Sequence, residues 1–235
     1  MSPAFWKNRR VFLTGHTGFK GGWTALWLSK MGAKVYGYSL APPSLPNFFL
    51  ETKLQKKLTN SFIGDICNLK NLNREIKLAK PSIIIHMAAQ PLIISGYKNP
   101  LDTYTINSVG TLNLLEILRR NNTIRSIVCI TSDKCYKSNN SVEGFTEEDN
   151  LGGEDPYSGS KACAEIIANT YYQSFFKNKK RCGLATARAG NVIGGGDWSE
   201  NRLIPDCIRS INLNKTIVLR NPNFNRPWQH VLEPL

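Results

Sequence analysis

The sequence predicts an α/β fold, a doubly wound parallel sheet with helices on both faces. Three observations carry that expectation. Short β-branched runs alternate with longer helical patterns from residue 11 to residue 188. A glycine-rich turn follows the first run and opens the first helical pattern. The chain has 235 residues, 41% hydrophobic and 20% charged, enough for a core that needs no disulfide or metal staple.

The elements follow in order. Val11 to Thr14 is a strand and Phe19 to Met31 a helix. Lys34 to Tyr38 is the second strand, followed by the Pro-rich connection Ala41 to Pro46. Ser61 to Ile63 is a strand and Leu69 to Lys80 a helix. Ser82 to His86 is a buried strand, and Leu101 to Asn121 a long helix. Ser126 to Thr131 is a strand, Tyr157 to Phe176 a helix, and Gly183 to Arg188 a strand. Ligands of such sheets sit at the carboxyl ends of the strands. After about Ala189, Gly, Asn, Pro and Trp crowd the chain through Pro234. That texture predicts loops over the ligand edge or the start of a smaller lobe.

Composition excludes several classes. Lys and Arg number 30 against 17 Asp and Glu, a net charge of +13, so an anionic partner is expected. The basic residues are spread without long runs, which disfavours nucleic acid. The six cysteines, at 67, 129, 135, 163, 182 and 207, include no CxxC pair, so no metal site is expected. Scattered thiols and an N-terminus without an apolar leader predict a reduced, cytoplasmic chain. No apolar run approaches ~18 residues, so no membrane partner is expected.

Gly15, Gly18 and Gly21 form GxxGxxG between strand and helix, the Rossmann context for a dinucleotide pyrophosphate on a helix N-terminus. Thr17, Phe19 and Lys20 share that loop. The second strand ends in Tyr38-Ser39-Leu40, with neither the acid of a usual NAD site nor a base for a 2′-phosphate. Absence of the base slightly favours NAD. Asp65-Ile66 would meet the adenine, or Asp65 would cap the helix that follows. Tyr157 and Lys161 stand one helical turn apart, on one face. An ammonium there is expected to lower the phenol's pKa, so that Tyr157 can take a proton from an alcohol. Ser132, closing a strand at the ligand edge, would hold that oxygen.

These residues, with His86-Met87-Ala88-Ala89-Gln90, resemble the extended short-chain dehydrogenase/reductases, which bind NAD(P) and usually act on nucleotide sugars. Longer motifs sharpen the resemblance. They are Thr131-Ser132-Asp133-Lys134-Cys135-Tyr136, Gly152 to Ser158, Gly190 to Trp198 and Arg226 to Val231. They are similar to the CDP-glucose 4,6-dehydratase subfamily, which also has Tyr-Ser-Leu after the second strand.

The resemblance implies NAD as cofactor, CDP-glucose or a similar nucleotide sugar as partner, and a homodimer formed through a two-helix face. It implies Tyr157 as the C4 base, Lys161 as its activator and ribose ligand, and Ser132 on O4. Asp133 would protonate the departing C6 hydroxyl. Lys134 would move the C5 proton or stabilise the enolate, a place where related dehydratases carry Glu. Ala88, Ala89, Gln90 and Asn107 are cofactor-side candidates, Gln90 and Asn107 alternatively pinning backbone. Asn191, Arg188, Arg220 and Arg226 are substrate-side candidates, although Arg188 could instead orient loops and Arg220 be simply exposed. His86 reads as a packed strand residue. Ile94 stands where the subfamily commonly has Arg. The family extends well past residue 235. The expectation is therefore a Rossmann domain over 1–188 and a partial, C-terminally truncated substrate lobe over 189–235, binding NAD but turning over weakly. The alternatives are a nucleotide-sugar 4-epimerase, which needs no Asp133/Lys134 pair, and a truncated cofactor-binding remnant without turnover.

Overall fold

The computed structural model describes residues 2–138, 144–178 and 182–235. Six strands form one parallel sheet: β1 (Arg10–Thr14), β2 (Lys34–Ser39), β3 (Asn60–Ile63), β4 (Ile83–His86), β5 (Ser126–Ile130) and β6 (Gly183–Ala187). Their order is β3-β2-β1-β4-β5-β6. The chain therefore winds outward in both directions from β1 and β4, and a crevice opens between their carboxyl ends. Thr14 sits in register with Tyr38 on one side and His86 on the other.

Both sheet faces are apolar, as a parallel sheet covered by helices requires. Alternate residues of β1 point to opposite layers. Phe12 packs with Leu72, Ile76, Leu114 and Leu118, whereas Val11 and Leu13 pack with Ala25, Leu28 and Leu54.

All six predicted strands and the four predicted helices are present, with ends shifted by one or two residues. The helix expected over 101–121 carries a π turn, Thr105–Val109, between Pro100–Tyr104 and Gly110–Arg119. The extra residue in that turn is a frequent mark of a functional site, and here the turn holds Asn107. The next long helix starts where chemistry dictates. Asp155 caps it by accepting from the Tyr157 and Ser158 amides at 2.9 and 3.0 Å, and Pro156 occupies the first turn.

Four short helices were not anticipated: Pro3–Trp6, Phe48–Glu51, Ile93–Lys98 and Leu203–Asn212. The last lies within the segment read as loops. Its apolar spacing, Ile204, Cys207, Ile208 and Ile211, is helical, but Pro205 and the dense Gly and Asn before it mask the pattern. Segment 189–235 also pairs β7 (Val192–Ile193) with β8 (Gln229–His230) in a separate two-stranded sheet. It is tied to the first long helix by Trp23, whose Nε1 donates to the Gly195 carbonyl at 2.9 Å.

Candidate active site

The glycine loop begins where β1 ends. Gly15 has φ +80°, and a Cβ there would lie 2.8 Å from the Ala88 nitrogen. A Cβ on Gly21 would lie 2.1 Å from the Gly15 carbonyl oxygen, so the helix can start only with glycine there. Gly18 is different. Its Cβ would meet only the Gly15 oxygen, at 3.4 Å, so its outer side is open. The Thr17 hydroxyl bonds Ser39 at 2.8 Å and the Leu40 carbonyl at 2.9 Å, which fixes the loop against the end of β2.

A cavity of about 1150 Å³ opens above this edge. It is lined by Gly15, Thr17, Gly18, Phe19, Lys20 and Gly21, and by Ser39, Asp65, Ile66, Ala88 and Ala89. Ser132, Asp133, Lys134, Tyr157 and Lys161 line it from the β5 side, and Asn191, Arg220 and Arg226 from the last segment. Ile94 lines it too. Asp65 does not cap the following helix. Asn68 does so, accepting from the Asn71 amide at 3.0 Å, while Asp65 accepts from the Cys67 amide.

Ser132 ends the strand and caps a short 3₁₀ turn, Asp133–Cys135. That turn swings Asp133 and Lys134 toward the cavity. The Ser132 hydroxyl donates to Asp133 at 3.1 Å and is also a hydrogen-bond partner of the Tyr157 phenol. The expected lowering of the Tyr157 pKa is not what this geometry gives. Burial raises it, and the Ser132 hydrogen bond opposes that rise. Lys161 instead donates to the Ile130 carbonyl at 3.2 Å. Burial, with the nearby Lys20 ammonium, pushes the Lys161 pKa down to about 8.

Three expected ligands are turned away from the cavity. Gln90 spends its side chain on its own loop, donating to the Leu92 carbonyl and Thr103 and accepting from the Leu92 amide. Asn107 accepts from the Gln90 amide and donates to the Gln90 carbonyl and to Ser160. Both pin backbone. Arg188 forms a two-pronged pair with Glu165, at 3.0 Å to each oxygen, and its guanidinium lies over Tyr136. Glu165 also accepts from Thr131 and Thr186. Arg188 thus locks β6 to the helix of Tyr157, and a pyrophosphate contact is not what its position offers.

Sequence reasoning missed Asp197 and Arg202. They pair at 3.0 Å at the cavity wall. Arg202 repels the Lys20 ammonium and favours the Tyr157 phenolate, whereas Asp133 and Asp197 favour Lys20's charge. Net, burial lowers the Lys20 pKa. The signal was available only as two charges inside a Gly-Asn-Trp stretch, with no period to place them.

A Rossmann crevice that joins a glycine loop to a Ser, Tyr and Lys set has the architecture of the extended short-chain dehydrogenase/reductases. The sequence profile of the GDP-mannose 4,6 dehydratase family matches residues 12–234, and the chain belongs to that family. It is 50% identical over 235 residues to the CDP-glucose 4,6-dehydratase of Salmonella typhimurium, covering 98% of this chain and 65% of that protein. The dTDP-D-glucose 4,6-dehydratase of Dictyostelium discoideum is 26% identical, with 92% and 51% covered. A dTDP-glucose 4,6-dehydratase structure from Bacillus anthracis, in complex with NAD, superposes with a TM-score of 0.79 at 26% identity, covering 95% of this chain and 68% of that one. The chain thus spans between about half and two thirds of the length of these relatives.

Two predictions follow from the buried charges. Arg188→Ala leaves the Glu165 carboxylate buried and unpaired, and is expected to cost about 3–5 kcal/mol in urea denaturation. A loss under ~1 kcal/mol would show that the pair is not a structural lock. For Lys161, the folded pKa of about 8 lies below the ordinary 10.5. Between those values the unfolded chain binds more protons, so stability rises with pH. The penalty is fully present below pH 8 and gone above 10.5. Lys161→Met should therefore unfold at a higher temperature than wild type at pH 7, with the gap closing as pH rises. A gap independent of pH would contradict the assignment.

Proposed function

We propose that this chain carries the cofactor site and catalytic groups of a nucleotide-sugar 4,6-dehydratase acting on CDP-glucose. The observation that carries the reading is the convergence of Ser132, Asp133, Lys134, Tyr157 and Lys161 on one cavity beside the glycine loop. The 50% identity to the Salmonella enzyme supports the choice of nucleotide and sugar. Residues 1–188 are assigned to the cofactor and 189–235 to the nucleotide sugar, since Asn191, Arg220 and Arg226 line the far cavity wall. Arg is suited to a pyrophosphate.

The glycine loop fits NAD. Gly18 offers open backbone, and the helix behind it directs its N-terminal amides at the same place. Gly15, Thr17, Gly18, Phe19, Lys20 and Gly21 would hold the pyrophosphate, with Ser39, Asp65 and Ile66 on the adenosine side. Bound NAD would supply a reversible acceptor for the C4 hydride, whose return to C6 is matched by return of a proton to C5. Tyr157 takes the C4 hydroxyl proton, with Ser132 holding that oxygen. Lys161 reaches the ribose and offsets the phenolate charge, which burial otherwise opposes. The C4 ketone acidifies the C5 proton. Lys134 relays that proton or stabilises the enolate. Asp133 gives a proton to the C6 hydroxyl as it leaves as water. An epimerase has no use for that acid, so the 3₁₀ turn that presents Asp133 and Lys134 favours dehydration.

The experiment is incubation of the chain with NAD and, in turn, CDP-glucose, dTDP-glucose, UDP-glucose and GDP-mannose. A product lighter by one water is expected first with CDP-glucose. Tyr157→Phe should lower that rate by about 10²–10⁴ while leaving NAD affinity intact. An isomer of unchanged mass would replace the reading with an epimerase, and NAD binding without any product would replace it with a cofactor-binding role.

Two finer readings accompany this one. Cys67, Cys129, Cys135, Cys163 and Cys207 are free thiols, which supports a reducing, cytoplasmic setting. Among the described residues no helix is long and apolar enough to cross a membrane. Leu101, Tyr104, Val109 and Leu112 form an exposed stripe beside the exposed Ile166 of the neighbouring helix, a face suited to a second copy. Leu101→Glu with Ile166→Glu should turn a dimer into a monomer by light scattering. A monomeric parent would dismiss the dimer.

A further inference from the structure

The cavity accounts for few of the cations. Residues 1–60 hold nine Lys and Arg against one acid, Glu51, so eight of the thirteen excess charges fall there. All but Lys20 lie away from the site. The fold gathers them at the opposite edge of the sheet, where strands begin. Arg9 precedes β1, and its carbonyl accepts from the Lys34 amide at the start of β2. Gly32, between the first long helix and β2, accepts from the amide of Asn8, next to Lys7, at 2.8 Å. Lys56 and Lys57 precede β3, where the Thr59 amide donates to Val35. The row continues to Lys80 and Arg125, joined through Ser82 to Arg10.

Some of these positions have a local explanation, because helix C-termini favour cations. Lys30 and Lys80 fit it. So do Lys7, the C-cap of the short helix Pro3–Trp6, Arg9, which donates to the Phe5 carbonyl of that helix at 2.7 Å, and Lys56 and Lys57, in the last turn of the 3₁₀ helix Leu54–Lys57; Lys34, which opens β2, does not. Among the described residues Lys7, Arg9, Lys34, Lys56, Lys57 and Lys80 form no ion pair with a carboxylate. Three exposed apolar side chains share the edge. Phe5 lies under the Arg9 guanidinium, Trp27 is in the last turn of the helix that ends at Lys30, and Leu78 gives its carbonyl to Arg10. They are 39, 39 and 61% exposed.

We propose that this edge docks on an anionic lipid surface, with the substrate cavity facing away from it. Charge complementarity supplies the attraction, and the interspersed aromatic and aliphatic side chains supply shallow insertion into the headgroup layer. A lipid surface suits the arrangement better than a nucleic acid. The cations form a broad edge with apolar side chains among them, where a polynucleotide would require a groove or a stacking platform.

The test is flotation of the 235-residue chain with vesicles of phosphatidylglycerol and phosphatidylcholine, against vesicles of phosphatidylcholine alone, at low and physiological salt. Binding to the anionic vesicles that weakens with salt is expected. Lys34→Glu/Lys56→Glu/Lys57→Glu should lose at least about tenfold in partitioning. Lys98→Glu/Lys137→Glu/Lys215→Glu, with the same charge change elsewhere, should lose far less. Circular dichroism and NAD affinity check that both variants are folded. Trp27→Ser should weaken vesicle binding and leave any retention on duplex DNA unchanged. Equal losses for the two triple variants would reduce the effect to net charge and overturn the proposal. Tight DNA retention without vesicle binding would overturn it in favour of a nucleic acid, and no binding to anionic vesicles would overturn it outright.

Discussion

One buried hydroxyl organises the crevice. The Thr14 Oγ1 accepts from the Met87 and Ala88 amides, both at 3.0 Å, which ties the end of β1 to the chain leaving β4. Having accepted twice, it donates its own proton to His86 Nδ1, at 2.7 Å. His86 must then carry its proton on Nε2 and donate to Thr111 at 3.1 Å. Thr111 in turn donates to the Asn107 carbonyl at 2.6 Å. Asn107 holds the Gln90 loop and reaches Ser160, in the helix that carries Tyr157 and Lys161. One directed chain of hydrogen bonds thus links the phosphate loop to the reacting groups. It runs only while His86 is neutral, and burial, aided by the Lys161 ammonium, holds its pKa down to about 3.

The buried charges divide into two kinds. Glu165 and Arg188 satisfy each other and two threonines, as buried ions must if they are to serve structure. Among the described residues Lys161 and Lys20 have no such carboxylate partner, and burial depresses both. Leaving cations incompletely compensated at the mouth of a glycine loop costs stability and prepares the place for an anionic ligand. The same contrast explains why Arg188, committed to Glu165, is not free to meet substrate, whereas Arg220 and Arg226 line the wall.

Most of the sheet was legible because it rests on local rules. The runs at 83–86 and 126–130 are too apolar for anything but a buried strand, and GxxGxxG between strand and helix has one common use. Tyr157 and Lys161 were placed together by helical spacing alone. What the sequence hid depends on nonlocal partners. Gln90 and Asn107 read as ligands because their residue type is polar and their position is near the crevice, but their bonds go to each other across a π turn that no spacing rule reveals. The influence of Lys161 on Tyr157 was misjudged for a similar reason. Spacing sets which face a side chain occupies, whereas burial and the Ile130 carbonyl set where its charge goes. Asp197 and Arg202 were invisible because 189–202 lacks a period.

The net charge belongs to the fold as much as to the site. In a parallel sheet every strand begins at one edge and every ligand group gathers at the other, so the two edges can carry separate functions. Here the carboxyl edge holds mixed charges: Asp133, Asp197 and Arg202 surround Lys20, which in turn acts on Lys161, and a dianionic ligand needs only a few of them. The part of the amino edge built before Asp65 holds few acids, Glu51 being the sole acidic residue in that stretch, and farther along Glu75 and Glu116 are paired with Arg74, Arg119 and Arg120. Mutual repulsion among unpaired surface cations destabilises the compact state. A catalytic requirement at the far edge gives no reason to tolerate it, because screening removes such influence beyond about 8–10 Å of solvent at physiological salt. The cations at the amino edge therefore call for a cause of their own, and their position excludes the bound nucleotide as that cause.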